Sequence, residues 1–350
     1  MKIAGRYKTT GRTDAGGMGE IIECEDLHLK RRVIIKRLQA GVEPSRLIDE
    51  QRALARLRSK HVVQLYDVVE IKNCVGELDK AIVLEFIEGE SLSKILFNTD
   101  KEYLKILWQI SCGLSDIHEA KIIHRDIKPE NIMLNSDNII KIIDFGLARS
   151  NDSAKTRSII GTPIFMAPEL WDRRDICFDS SIDVYAFGVT ALALLSDSLP
   201  QKLRRSPPLP ISMGELADHV ENIQQNVLDL IHSCLNRAPR CRPCMLDVQA
   251  LLSRHLLKEQ HRALVVLDGR TYFLDNKNRK IKLDAEGLGS ISIKYDGYDF
   301  KVFNSSGKVF LNNNSVHNGD LVPGCCVITF GADGNRRFVT FDVSTPEMMA

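Results

Sequence analysis

Two short polar segments, each introduced by apolar residues, constrain this chain more than any other feature. The first is Ile123-His124-Arg125-Asp126-Ile127-Lys128-Pro129-Glu130-Asn131, with a lysine two residues and an amide five residues after the carboxylate. The second, Ile142-Ile143-Asp144-Phe145-Gly146, places another carboxylate thirteen residues after Asn131, at the end of an apolar run. Gly146 allows the backbone to turn sharply there. On a loop, the first spacing lets Asp126 face a hydroxyl while Asn131 reaches a metal ion. Asp144 can point into the same cleft.

Those are the parts that phosphoryl transfer needs: a metal against the phosphates, a cation on them, and a positioned hydroxyl. The two segments resemble the catalytic loop and the D-F-G motif of eukaryotic-type (Hanks-type) protein kinases, bacterial ones included. The resemblance covers roughly residues 7 to 257. It implies an α+β bilobal kinase fold, with a β-rich N-lobe over about residues 1–86 and a helical C-lobe over about 87–260. It also implies ATP and Mg2+, with Mn2+ as the alternative metal, and protein substrates.

Carried over residue by residue, the resemblance makes Asp126 and Lys128 catalytic and Asn131 and Asp144 metal ligands. Val33-Ile34-Ile35-Lys36 is similar to the strand whose lysine contacts the α- and β-phosphates, with Ile34 where the family has alanine. Glu50, fourteen residues on, is similar to the glutamate paired with that lysine. Leu84-Glu85-Phe86-Ile87 resembles the hinge, with Leu84 as gatekeeper and the backbone of Glu85 and Ile87 against adenine. Gly16, Gly17 and Gly19, followed by Ile21, resemble the phosphate loop, but Asp14 stands where its first glycine belongs.

Gly161 to Glu169 resembles the peptide-docking loop and its A-P-E end; Glu169 is expected to pair with Arg242. Asp183 resembles the buried aspartate that fastens the catalytic loop. Lys128 and Thr162 imply a Ser/Thr acceptor, with dual or tyrosine specificity as the alternative. Arg125, before the catalytic aspartate, implies control by phosphorylation of the segment that follows Gly146. Of Ser150, Ser153, Thr156 and Ser158, position favours Thr156 and Ser158. A reading from a different class is a pseudokinase scaffold, in which Asp14 weakens nucleotide binding and the tail carries the function.

Hydrophobic periodicity agrees with this layout. Leu47, Ile48, Leu54 and Leu57 recur at helical spacing within Pro44–Arg58, with Ser45 as a candidate cap. Tyr103–Ala120 carries an apolar stripe, and Asp183–Leu195 is almost wholly apolar, as a helix buried on all sides would be. Glu221–Cys234 and Leu246–Leu257 supply two more helices, and Pro200, Pro207, Pro208 and Pro210 mark an irregular link.

Beyond a short charged connection, Lys258–Arg262, the pattern changes to short apolar runs separated by Gly, Asn and Asp turns. That pattern predicts a small all-β sandwich over 261–350, after a kinase domain over 1–260. Gly269-Arg270 and Gly307 to Asn313 resemble segments of a forkhead-associated module, which implies binding of phosphorylated protein segments. The Ser-x-x-His segment of that family is not evident, and a degenerate interaction module is the alternative.

Composition excludes several classes. With 47 Lys and Arg against 46 Asp and Glu, nothing points to a polyanion, and no nucleic-acid partner is expected. Lys30-Arg31-Arg32 and Arg204-Arg205 read as solvated surface. No apolar run reaches the roughly 18 residues a membrane helix needs. Residues 1–10 lack the apolar core of a secretory signal. Nine cysteines show no disulfide spacing, and Cys241-x-x-Cys244 lacks a partner set for zinc. Reduced thiols and a cytoplasmic address follow.

Overall fold

The β-branched run at Val33 and the apolar run at Ala81 pair with one another in the computed structural model of the chain, Ile34 opposite Leu84 and Lys36 opposite Ile82. The structure describes residues 1–16, 19–37, 44–72, 78–150, 155–156, 161–171, 176–332 and 334–344. These fall into two compact units, Met1–Leu252 and Ser253–Ala350.

The first unit opens with an antiparallel sheet of β1 (Lys2–Ile3), β2 (Tyr7–Gly16), β3 (Gly19–Asp26), β4 (Arg31–Arg37), β5 (Leu65–Lys72) and β6 (Leu78–Glu85). Their order in the sheet is β1-β2-β3-β4-β6-β5. Cys24, Val33, Ile35, Ala81 and Val83 alternate inward along their strands and form its core. Helix α1 (Pro44–Arg56) follows β4 and buries Leu47, Ala53 and Leu54. The helix begins at Pro44, so Ser45 lies inside its first turn and not at the cap.

Helices then dominate. The long α2 (Lys101–Glu119) is capped by Asp100, whose carboxylate accepts from the N–H groups of Glu102 and Tyr103. Its stripe of Leu104, Leu107, Ile110, Leu114 and Ile117 is buried as the spacing predicts. Helix α3 (Ser181–Ala193) is buried on every face from Ile182 to Leu192. Two boundaries differ from expectation. A short helix, α4 (Met213–His219), follows the proline-rich link, because Ser212 and Glu215 close a reciprocal capping box. The next helix, α5 (Gln225–Cys234), starts four residues later than expected, because Asn222 adopts a left-handed φ of 58°. Helix α6 (Met245–Leu256) completes the set.

The second unit pairs six strands: β14 (Arg262–Leu267), β15 (Arg270–Leu274), β19 (Val309–Leu311), β20 (Asn314–Ser315), β21 (Cys325–Ala332) and β22 (Asn335–Ser344). Their order is β15-β14-β22-β21-β19-β20, with a second sheet of β16 (Lys280–Ala285), β17 (Gly289–Tyr295) and β18 (Phe300–Gly307). Ile281, Ile291, Ile293, Ile328, Phe330 and Phe341, drawn from both sheets, share one core, as a sandwich requires. Gly269 serves the first hairpin. Asp268 and Gly269 adopt φ of 53° and 74° between paired Leu267 and Arg270, a two-residue turn that needs left-handed residues. The unit begins at Ser253, inside α6, because the last turn belongs to it: Arg254 pairs with Asp299, and His255 Nδ1 lies 3.1 Å from the Tyr298 hydroxyl.

Candidate active site

The first polar segment lies between β8 (Ile122–Ile123) and β9 (Ile132–Asn135), and the second follows β10 (Ile140–Ile142). Short strands of this kind deliver polar residues at their ends. Asp183, buried in the first turn of α3, holds the first segment by its backbone. Its Oδ2 accepts from His124 N–H and its Oδ1 from Arg125 N–H, both at 2.8 Å, and His118 Nε2 lies 3.0 Å away. Burial works against that charge, but these partners hold the carboxyl below its usual range. Arg125 and Asp144 both carry left-handed backbone, with φ of 72° and 64°, a strain of about 1–3 kcal/mol each that neighbours must offset.

Three side chains and one backbone N–H converge on Asp126. Its Oδ2 accepts from Asn131 Nδ2 at 2.9 Å and faces Lys128 Nζ at 2.9 Å. Its Oδ1 accepts from the Thr162 hydroxyl at 3.0 Å and the Thr162 N–H at 3.2 Å. Lys128 Nζ also donates to Thr162 Oγ1 at 2.6 Å. Gly161 makes this approach feasible: its φ is 121°, and a Cβ there would sit 3.1 Å from the Arg125 carbonyl.

Lys36 reaches both remaining carboxylates. Its Nζ donates to Glu50 Oε1 and Oε2 and to Asp144 Oδ1, each at 2.8 Å. Burial favours the neutral amine, but the two carboxylates raise Lys36 above its ordinary value. Burial likewise opposes ionisation of Asp144, and Lys36 overrides it, so that carboxyl is lowered. Glu50 is pushed up, by burial first. Asp144 Oδ2 and the Asn131 amide oxygen accept no hydrogen bond among the described residues. Two hard oxygens left open in one cleft fit a magnesium ion that takes its other ligands from phosphates and water.

These groups line a cavity of about 480 Å3 with Ile21, Ile34, Leu84, Glu85, Phe86 and Ile87. The backbone of Ile87 is unpaired among the described residues, whereas Glu85 N–H donates to the Gln64 carbonyl at 2.9 Å. Of the glycines expected at the phosphates, Gly16 pairs with Gly19 at the tips of β2 and β3, and Gly17 lies outside the described residues. The Asp14 side chain and Ser158 lie outside them too; Thr156 has only its backbone described, opposite Ile176. Arg125 is buried, its guanidinium 4.7 Å from the Phe178 ring centroid. Arg242 holds Glu169 through two bonds, of 2.7 and 2.8 Å.

Sequence reasoning missed Val63, Met133 and Ile143 in the cavity wall. Met133 and Ile143 sit two residues after Asn131 and one before Asp144, so their spacing from the polar anchors was a usable signal. It also passed over His124. Asp126 N–H donates to His124 Nδ1 at 3.3 Å, and His124 Nε2 donates to the Ile143 carbonyl at 3.1 Å, tying the two polar segments together. Burial lowers this imidazole, which keeps it neutral, as that pattern requires.

Among the described residues, no helix is long and apolar enough to cross a membrane, and no His, Cys, Asp and Glu cluster forms a metal site.

Residues 7–254 match the family model of the protein kinase domain. A probable serine/threonine-protein kinase of Clostridium acetobutylicum is 31% identical over 228 residues, covering 62% of this chain and 33% of that protein. Serine/threonine-protein kinase PknB of Mycobacterium tuberculosis is 32% identical over 212 residues, 57% of this chain and 33% of that one. The kinase pkn3 of Myxococcus xanthus is 29% identical over 291 residues, 74% and 51% of the two chains. The chain thus spans about a third of the length of the first two relatives and about half of the third. The matched span contains every residue that lines the cleft, and the chain belongs to the protein kinase family.

Proposed function

We propose that this chain is an ATP-dependent protein kinase that phosphorylates serine and threonine hydroxyls. The hydrogen-bond set around Asp126 carries the reading: a carboxylate, an ammonium and a hydroxyl mutually within 3.0 Å, at the mouth of a cleft that ends in two open metal-binding oxygens. Bound ATP with its divalent metal supplies the phosphoryl group and offsets the charge that develops on it. Lys36, kept in place by Glu50, contacts the α- and β-phosphates, while Asp144 and Asn131 hold the metal. Ile21, Ile34, Leu84 and Ile87 enclose the base, Glu85 and Ile87 meet its edge, and Gly16, Gly17 and Gly19 cover the phosphates. Asp126 orients the acceptor hydroxyl and takes its proton, and Lys128 steadies the transferring group. Thr162, bonded to both, shapes the site for an aliphatic hydroxyl.

The test is incorporation of γ-labelled phosphate into the chain and into a generic protein, with magnesium and then manganese. The wild type is expected to label both on serine and threonine, and Asp126→Ala to reduce the rate by about 1,000-fold or more. No labelling, or equal labelling by the variant, overturns the reading and leaves a scaffold.

Three finer assignments accompany it. Autophosphorylation at Thr156 or Ser158, read by Arg125, controls activity; phosphosite mapping by mass spectrometry tests this. The β-rich unit, by its likeness at Gly269-Arg270 and Gly307 to Asn313, holds phosphorylated segments; phosphothreonine peptides should then bind more tightly than unmodified ones. The chain works in the cytoplasm, a reading supported by seven described cysteines that are all free thiols.

A further inference from the structure

Two thiols bracket the arginine that holds Glu169, in the order Cys241-Arg242-Pro243-Cys244. Cys241 ends a single 3-10 turn, Pro239–Cys241, and Cys244 stands directly before α6. Both are exposed free thiols, whereas Cys24, Cys112 and Cys234 of the same unit are buried. Burial pushes those three up, to about 11, 12 and 12, which keeps them protonated and unreactive. Among the described residues of this unit, the exposed pair is the one that solutes can reach. The Cys244 S–H donates to Asp247 Oδ2 at 3.0 Å, so a proton acceptor stands beside it.

Arg242, between the two thiols, is committed elsewhere. Its side chain is fully buried. Beyond the two bonds to Glu169, its Nε donates to the Asn236 carbonyl at 2.7 Å and its Nη1 to the Ser181 carbonyl at 3.0 Å. Its backbone is extended, with φ of −79° and ψ of 143°. A disulfide between residues three apart needs the intervening pair folded into a tight turn, with the two Cα atoms within about 7 Å. Extended backbone at Arg242 carries Cys244 away from that approach. The bridge can close only if Arg242 leaves this geometry, and its guanidinium cannot then keep all of its bonds. A disulfide opposed in this way is easily reduced, which is the character of a reversible one.

We propose that Cys241 and Cys244 are a reversible thiol–disulfide site, which reacts with low-molecular-weight disulfides and on closing releases Arg242 from Glu169. The Cys241 thiolate attacks one sulfur of the small disulfide, forming a mixed disulfide and expelling one small thiolate. The Cys244 thiolate then attacks Cys241 Sγ, forming the bond between the two cysteines and expelling the second small thiolate. The two protein thiols are oxidised, the small disulfide is reduced to two thiols, and the two protons pass to them. Glu169 ends the segment that begins at Gly161 and brings Thr162 to Asp126. Loss of its partner loosens that segment, so the oxidised form is the slower one, a consequence that rests on the kinase reading.

The test is to equilibrate the full-length protein with oxidised and reduced glutathione under native conditions and to map its thiols by mass spectrometry. Trypsin leaves both cysteines on one peptide, residues 241–254, because Arg242 precedes proline. The parent is expected to lose two hydrogens on that peptide, and Cys244→Ser to stop at the mixed disulfide with glutathione. The bridge should lower the unfolding midpoint of the first unit, read by tryptophan fluorescence, by about 3 °C or more, and dithiothreitol should restore it. Because the pairing of Arg242 with Glu169 opposes closure, Glu169→Gln should raise the equilibrium constant for the bridge about tenfold or more. Phosphate labelling should fall in the oxidised parent and not in the double variant Cys241→Ser, Cys244→Ser. No bridge in the folded parent overturns the site. An unchanged midpoint, or equal constants in parent and Glu169→Gln, overturns the coupling to Arg242, and unchanged labelling with the bridge in place overturns its effect on the cleft. The mass and midpoint readouts need no catalysis, so their failure is distinct from failure of the kinase reading.

Discussion

Met1–Leu252 buries Lys36, Glu50, Asp126, Asp183 and Arg242, whereas among the described residues of Ser253–Ala350 the buried ones are apolar apart from His255 and Thr329. A buried charge is unfavourable unless opposite charges and hydrogen bonds surround it, so each one demands defined geometry from its neighbours. The first unit therefore holds a site by satisfying charges. The β-rich unit holds its shape by packing, with Tyr295 stacked on Phe300 at 4.7 Å and Phe300 edge-on to Phe341 at 5.4 Å. The catalytic candidates therefore concentrate where burial is electrostatically expensive.

The largest expected effect tests the first half of that contrast. Asp183→Ala removes the acceptor of the buried His124 and Arg125 N–H groups and should destabilise the first unit by about 4–5 kcal/mol. Urea unfolding followed by tryptophan fluorescence reads this unit alone, since Trp108 and Trp171 both lie in it. Little change would show that burial of charge is not what organises the loop.

Phe341→Ala, fully buried in the sandwich, should lower the stability of the second unit by about 3–4 kcal/mol. Far-UV circular dichroism would show the early loss of β-structure. A tryptophan transition that moves equally far would mean that the units unfold as one, which would blunt the comparison.

A smaller effect carries a pH signature. Asp26 accepts from Arg6 at 2.8 and 2.7 Å, and this bond, with help from the N–H groups of His28 and Leu29, lowers its carboxyl to about 2. The folded value lies below the ordinary 3.8, so this contribution is complete above about pH 4 and is lost as the pH falls towards 2. Asp26→Asn should cost about 2 kcal/mol at neutral pH and flatten the acid limb of the stability curve. The smallest effect is Phe338→Ser. This side chain is 62% exposed, and its loss should change stability by less than about 0.5 kcal/mol in the same unfolding assay.

Much of the site was legible in the chain because its residues lie close together in sequence. Asp126, Lys128 and Asn131 fall within six consecutive positions, and Asp144 ends a recognisable apolar run. Helix boundaries were less legible. The left-handed turn at Asn222 and the capping box at Ser212 depend on backbone geometry that periodicity does not encode. Arg125 was legible only by its place before Asp126; that its guanidinium packs on Phe178, a residue 53 positions away, follows from the fold.

The sequence by itself determined which residue types were available for phosphoryl chemistry, the division into a mixed unit and a β-rich tail, and the faces of the main helices. Those follow from local spacing and hydrophobic period. Tertiary structure alone decided which further groups meet: Lys36 with an aspartate 108 residues away, and His124 as the link between the two polar segments. The physical reason is that these meetings arise when strands, turns and buried helices close upon one another, and the charges they bring together can be buried only once all their partners are in place.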